Sequence, residues 1–448
     1  MPTAAEVLGK FAAELAFDDI PPAVVERAKA GIIDTVAVAA FGAQFPWSRM
    51  VGEYARRYGS GGPCSLIGLK GERVHAPYAA LANGAFAAAL EQDASYYPSA
   101  GTHSGSALMP PVLALCEETN ADGKTAIAAF VAASEVNNRI GSASNNARIS
   151  PEAMGFHAPG LAGPFGAAVG AGRVLGLNAQ QMTHALGIAG SLSAGILAFT
   201  KSTQGGMVKR LHLGRAAESG VLAARLASTG YTGPETVLEG KFGYLDAYCR
   251  DGDPSMLVAG LHQDWKTLRI SMKRYALHGS AQIPVQSLRE LMAEHAFSGT
   301  DVAKVIVEGS HKLTTHHNII EPGEIMHAQY SMPFAMALTL FRDPEDPKSI
   351  NADALVDPVI RAACRNCVEL RASPDAGRSF NTRITVRLKD GREFIRASST
   401  FKGRPDSPLS LEELRRKFVF SAGEDEKAAG QLFERLEQLE EQPRFTVS

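Results

Sequence analysis

Apolar residues recur at three- and four-residue spacing through most of the first 260 positions, the period of helices with one buried face. The end signals agree: Pro21-Pro22 open and Gly42 closes a stretch over residues 23–41, and Pro77 stands in the first turn of residues 77–91. Further helices are predicted over residues 124–140, 161–175, 179–199 and 213–228. Near Trp265 the period changes. Residues 267–272 and 302–308 read as strands, and Ile384, Val386 and Leu388 alternate with Thr385 and Arg387. Asp390-Gly391 then supplies a turn into residues 393–397, so a hairpin is expected. Helices at 280–296 and 332–340 stand between these strands, and residues 409–419 and 424–441 return to charged amphipathic helix. The predicted fold is mainly α. A large all-helical domain, residues 1–264 completed by 402–448, is interrupted by a smaller α+β domain at 265–401.

The chain has 448 residues, room for two or three domains at about 150 residues each. Of its 69 alanines, 50 lie in the first 250 residues, and small side chains let helices approach closely, which strengthens the bundle reading. Lys and Arg number 45 against 47 Asp and Glu, a net charge of −2. That balance excludes a nucleic-acid binder working through bulk positive charge. At 45% hydrophobic and 21% charged residues the composition is that of a soluble globular protein. No apolar run reaches the roughly 18 residues a bilayer demands, so no membrane partner is expected. Glu6 and Glu14 and the lack of an early basic segment argue against a signal peptide. Five cysteines, an odd number without framework spacing, suggest reduced thiols in a cytoplasmic protein.

The common cofactor signatures are missing: no phosphate-binding loop ending in Lys-Ser/Thr, no dinucleotide fingerprint after a strand, no His-Glu-x-x-His. Gly160-Leu-Ala-Gly163 and the glycines from Gly166 to Gly172 lie within a helical pattern and read as close helix packing. Cys364-x-x-Cys367 lacks the second pair that a metal site needs. Polar residues in small-residue surroundings remain. Asp93 follows an Ala-rich helix, His103 sits in Gly101-Thr-His-Ser-Gly105, and His157 in Gly155-Phe-His-Ala-Pro159. Lys209, Arg210, His212 and Arg215 crowd into seven residues ahead of a helix, either as a solvated basic patch or as a carboxylate clamp. Lys273-Arg274-Tyr275 with His278, and His316-His317 with His327, can add to that clamp or lie on the surface.

Taken in order, these segments resemble the MmgE/PrpD family, which includes 2-methylcitrate dehydratase, cis-aconitate decarboxylase and iminodisuccinate epimerase. Residues 28–39 resemble its opening helix and residues 83–93 the run into its catalytic aspartate. Gly155-Phe-His157, the run from Met207 to Ala217, Phe242-Gly243 and the run from Lys402 to Leu414 match later stations. The resemblance covers nearly the whole chain. It implies a helical domain built from both chain ends, an α+β lid, a homodimer, and a cleft site needing neither metal nor other cofactor. Carried over by position, the catalytic candidates are Asp93, His103, His157 and Lys209, with His212, Lys273, Tyr275 and His278 binding a small carboxylate substrate.

The chain departs from the family at several points. Many relatives place a second aspartate after the first, where this chain has Ala94. Gln282 and Gln286 stand where relatives carry a lid His and Asp, and no tyrosine lies near Leu313-Thr314. Amides cannot act as general acid or base, so a substrate different from those of the named relatives is expected. The shared chemistry is removal of a proton alpha to a carboxylate, with cations stabilising the enolate. His103 or His157 is the expected acid/base, Asp93 its orienting partner, and Lys209 with His212 the carboxylate holder. The implied activity is a metal-independent lyase that dehydrates or decarboxylates a small di- or tricarboxylate. An epimerase using the same proton transfer, and a non-catalytic carboxylate-binding paralogue, are the alternatives.

Overall fold

A computed structural model describes residues 1–97, 101–202, 205–373, 381–422 and 425–448. The chain is mainly helical and divides into two compact units. The first comprises Met1–Ala89, Asp93–Met272 and Ser410–Ser448, the second Leu90–Gln92 and Lys273–Leu409. No helix among the described residues is long and apolar enough to cross a membrane.

In the first unit the Pro22–Gly42 helix is buried along most of its length. The C-terminal segment closes on it. Lys417 of the Leu411–Ser421 helix reaches the fully buried Asp34 at 2.5 Å, and Lys29 holds Glu440 at 2.8 Å and the Glu437 carbonyl at 2.9 Å. The unit is thus assembled from both ends of the chain. Ala76–Ala87, Ser104–Thr119 and Gly123–Asn145 pack on that helix, and Ala158–Val174 and Val208–Ser228 pack on those three and on each other. Small residues set their spacing: a Cβ added at Gly214 would lie 2.2 Å from the Leu81 carbonyl oxygen, so no side chain fits there.

Several elements differ from the sequence expectation. The stretch predicted as one helix over 179–199 ends at Ser191 and resumes as a 3₁₀ turn, Leu197–Thr200, after Gly195 takes φ +140°. The Ser104–Thr119 helix escaped sequence reading because Pro110-Pro111 lie inside it. Only Ile270–Ser271 of the strand expected at 267–272 forms, pairing antiparallel with Ser95–Tyr96, while Lys266–Arg269 is a 3₁₀ turn. That segment belongs to the first unit, which runs to Met272. The cause is Glu135 in the long Gly123–Asn145 helix. Its carboxylate accepts from the Thr267 N–H and hydroxyl, both at 2.7 Å, from the Lys266 N–H at 3.0 Å, and from buried Arg139 at 2.5 Å. At the far end the helix expected over 424–441 is observed as Glu426–Glu437, with Glu424 outside the described residues.

The second unit holds a four-stranded sheet in the order Val368–Ala372, Val302–Gly309, Thr382–Leu388, Glu393–Ser398. The first pair is parallel and the others antiparallel. Ile384, Val386 and Leu388 are buried and Arg387 is exposed, as period-two patterning requires, whereas Thr385, expected on the outer face, is buried as well. Gly391 takes φ +93° in the hairpin turn. The edge strand Val368–Ala372 was invisible to periodicity because its side chains are half-buried or exposed on both faces.

Candidate functional site

In the first unit, Asp93 is almost fully buried and its Oδ2 accepts two hydrogen bonds, from His103 Nδ1 at 2.7 Å and Ser106 Oγ at 2.6 Å. A carboxylate only accepts, so Nδ1 of His103 carries the proton and Nε2 presents a lone pair when the ring is neutral. His103 is the N-cap residue of the Ser104–Thr119 helix. Its neighbours are clamped from beneath: Asn138 Oδ1 takes the Thr102 hydroxyl at 2.8 Å and the Ser104 hydroxyl at 3.4 Å. Ser106 and Asn138 were missed by sequence reading. Ser106 is one of several hydroxyls in its segment, and Asn138 sits in a helix whose other buried positions are largely apolar. Ala94 is fully buried, and its carbonyl accepts from the Gly105 N–H at 3.4 Å.

Two further helix starts carry the remaining candidates of this unit. His157 is the N-cap residue of Ala158–Val174, and Lys209 and His212 lie in the first turns of Val208–Ser228. Nδ1 of His157 and Nδ1 of His212 are 3.0 Å apart, and Phe199 stands edge-on to both rings. Burial first, and the Lys209 ammonium second, hold the His212 imidazole below its ordinary pKa. Gly101, at φ +64°, brings the His103 loop against the start of the His157 helix: a Cβ there would lie 2.6 Å from the Ala158 Cβ. The Asp93–His103 pair and the His157–His212 pair therefore belong to neighbouring segments of one unit. Lys209 is 5% exposed. Adjacent Arg210 is committed to structure, with Nε on the Ala89 carbonyl at 2.8 Å and its guanidinium 4.5 Å from the centre of the Trp47 ring. Of the basic run, Lys209 and Arg210 are thus buried and His212 half-buried, while Arg215 is exposed and pairs with Glu218 at 2.6 Å.

Lys273, Tyr275 and His278 are in the second unit. Lys273 is buried with Glu91 at 3.9 Å, and Gln92 donates to the Arg274 carbonyl at 3.1 Å. Glu91 holds φ +58°, a left-handed conformation uncommon for a non-glycine residue, immediately before the turn to Asp93. Tyr275 is in the core. Burial pushes its phenol up, opposed by a hydrogen bond with Arg289. His278 caps the Gly279–His295 helix, its Nδ1 accepting from the Ser280 N–H at 3.3 Å. A backbone N–H only donates, so neutral His278 carries its proton on Nε2 and is a donor there. His317 and Tyr330 lie beside that ring at centroid distances of 4.7 and 4.6 Å. His316 meets Thr315 Oγ1 at 2.8 Å and His327 lies 3.8 Å from Glu324.

Gln282 holds neighbouring backbone together. Its Oε1 accepts from the N–H groups of Arg274 and Tyr275, both at 3.1 Å, and its Nε2 donates to the carbonyls of Tyr275 and Leu277 at 2.9 and 3.0 Å. Gln286 Oε1 accepts from the Lys402 N–H at 2.7 Å. Replacing Gln282 with Ala would strand buried backbone donors and should lower stability by about 2–4 kcal/mol. Urea denaturation checks this, and a loss under about 0.5 kcal/mol would show that the loop does not depend on that amide.

Cys364 and Cys367 are free thiols, and burial pushes the Cys364 thiol up to about 12. Among the described residues no group of three or more His, Cys, Asp or Glu is arranged to hold a metal ion.

Comparison with known proteins adds the following. Residues 6–257 match the MmgE/PrpD N-terminal domain and residues 275–432 the MmgE/PrpD C-terminal domain. A cis-aconitate decarboxylase of Aspergillus terreus is 35% identical over 297 residues, 64% of this chain and 59% of that enzyme. The chain therefore spans about three-fifths of the length of that relative. Human cis-aconitate decarboxylase is 29% identical over 414 residues, 89% of this chain and 83% of the human enzyme. A cis-aconitate decarboxylase-like protein of Aspergillus oryzae is 26% identical over 438 residues, 92% of this chain and 89% of that protein.

Proposed function

The chain belongs to the MmgE/PrpD family, and from that premise we propose that it is a lyase acting on a small di- or tricarboxylate without a metal. The observation that carries this reading is the buried Asp93 carboxylate holding His103 by Nδ1. His103 Nε2 removes the proton alpha to a carboxylate, and Asp93 stabilises the imidazolium that forms. The ammonium of Lys209 lowers the energy of the enolate by binding its carboxylate. Loss of a beta hydroxyl, which leaves as water after protonation, completes a dehydration. In a decarboxylation the bond from carbon to a carboxylate breaks in place of the C–H bond, carbon dioxide leaves, and an imidazolium of the site protonates the carbon that keeps the electron pair. The named relatives make cis-aconitate the first substrate to try. The substrate-binding part of Lys273 and His278, and assembly as a homodimer, belong to the same proposal. An epimerase is the second reading, favoured by the presence of two separate imidazole systems, His103 and the His157–His212 pair.

The test is turnover of cis-aconitate, 2-methylcitrate, citrate and iminodisuccinate in deuterated water, before and after exhaustive chelation. Water or carbon dioxide should be released from at least one acid, with deuterium entering alpha to a carboxylate and no loss on chelation. Stereochemical inversion alone would move the assignment to the epimerase. Binding without any exchange across the panel would overturn the enzyme reading.

A further inference from the structure

The His157–His212 contact has a chemistry of its own. Two imidazoles joined through their Nδ1 atoms at 3.0 Å share one proton between those nitrogens, because one must donate and the other accept. In the neutral pair, the ring that donates from Nδ1 has a bare Nε2, and its partner carries a proton on Nε2. One pair therefore offers a base and an acid at once.

The surroundings fix this geometry. The His157 N–H donates to the Gly195 carbonyl at 3.1 Å. A Cβ on Gly195 would fall 3.3 Å from His212 Nδ1 and 3.5 Å from His157 Cβ, so a side chain at 195 would press on the pair. Phe199 lies edge-on to His157 at 5.6 Å and to His212 at 5.9 Å, covering both rings with hydrocarbon. His157 is buried and His212 only half-buried, so the pair leads from the interior toward water. Lys209 stands one turn before His212 on the same helix, and its charge disfavours a second proton on the pair.

We propose that His157 and His212 form a two-ring proton relay, in which His157 exchanges a proton with the reacting molecule and His212 exchanges one with solvent. This rests on the lyase reading above and gives His212 a part other than carboxylate binding. In the delivering direction, the His157 Nε2–H bond breaks toward the leaving oxygen or carbanion carbon, and Nε2 keeps the electron pair. The Nδ1 proton of His212 crosses to Nδ1 of His157, and a proton from water bonds to Nε2 of His212. The pair ends in the opposite tautomer, and uptake of a proton at His157 Nε2 resets it by the reverse steps.

The experiment has two arms. Nitrogen NMR of the full chain labelled at histidine should show, with no substrate present, one protonated and one bare Nδ1 shared between His157 and His212. Two bare Nδ1 atoms would overturn the relay whether or not the enzyme turns over any acid, which separates this failure from failure of the lyase reading. On the active protein, His212→Asn keeps a hydrogen-bonding partner for His157 but cannot pass a proton through. Its kcat should fall about 10²-fold with KM nearly unchanged, and added imidazole should restore most of it. An unchanged kcat, or a rise in KM that imidazole does not reverse, would leave His212 as a binding or packing residue and refute the relay.

Discussion

Asp93→Asn should lower kcat by about 10³–10⁴-fold while the protein stays folded. The argument is one of tautomers. Both donors to Asp93 converge on one oxygen, His103 Nδ1 at 2.7 Å and Ser106 Oγ at 2.6 Å. A carboxylate accepts both, which fixes Nδ1–H on His103 and leaves Nε2 as a base. An asparagine amide turned with Nδ2 toward the ring demands an acceptor there. His103 then moves its proton to Nε2 and cannot act as base. Turned the other way, the amide oxygen keeps the hydrogen bond but supplies no charge to the imidazolium. Either orientation loses transition-state stabilisation that the ground state does not need, so kcat falls more than KM rises. Ser106→Ala removes one neutral donor and should cost only about tenfold. Steady-state kinetics with a thermal melt checks the set. An Asp93→Asn enzyme retaining a tenth of wild-type kcat would move the base elsewhere, with His157 the next candidate.

That site was only partly legible in the chain. Asp93, His103 and His157 stood out as polar residues in small-residue surroundings, and Lys209 as part of a dense run of cations ahead of a helix. Family resemblance then joined them in order. The long helices were legible for the related reason that alanine-rich runs with Pro at one end and Gly at the other admit few alternatives. What stayed hidden depends on contacts distant in sequence. Asn138 matters because it holds Thr102 and Ser104, and its own helix gives no sign of that. The segment at 266–272 carries strand-like residues, yet Glu135 gathers its N–H groups into a turn. The partnership of His157 and His212 spans 55 positions and two helix starts, where no spacing rule applies. The four hydrogen bonds by which Gln282 clamps the backbone lie outside any motif.

Lys209→Met should lower kcat/KM by about 30- to 5000-fold, the range that follows from losing about 2–5 kcal/mol of contact to a desolvated carboxylate. The same substitution should leave thermal stability unchanged or raised. Lys209 is buried in the first turn of a 21-residue helix, beside Arg210 and one turn from His212. Helix N-termini carry partial positive charge, so cations gathered there are disfavoured unless an anion joins them. A substrate carboxylate is one anion that offsets that cost. Arg210 has the same charge but different work, since it binds the Ala89 carbonyl and stacks on Trp47. Arg210→Met should therefore destabilise the fold, reversing the pattern expected at Lys209. His184→Ala is the control, because His184 donates Nδ1–H to the Gly233 carbonyl at 3.1 Å and has no part in the chemistry. KM should rise in the Lys209 variant if the ammonium already grips the ground state, and kcat alone should fall if it engages only the enolate. A Lys209→Met enzyme of lowered stability and near-normal kcat/KM would make the lysine a structural cation and remove the carboxylate clamp from the reading.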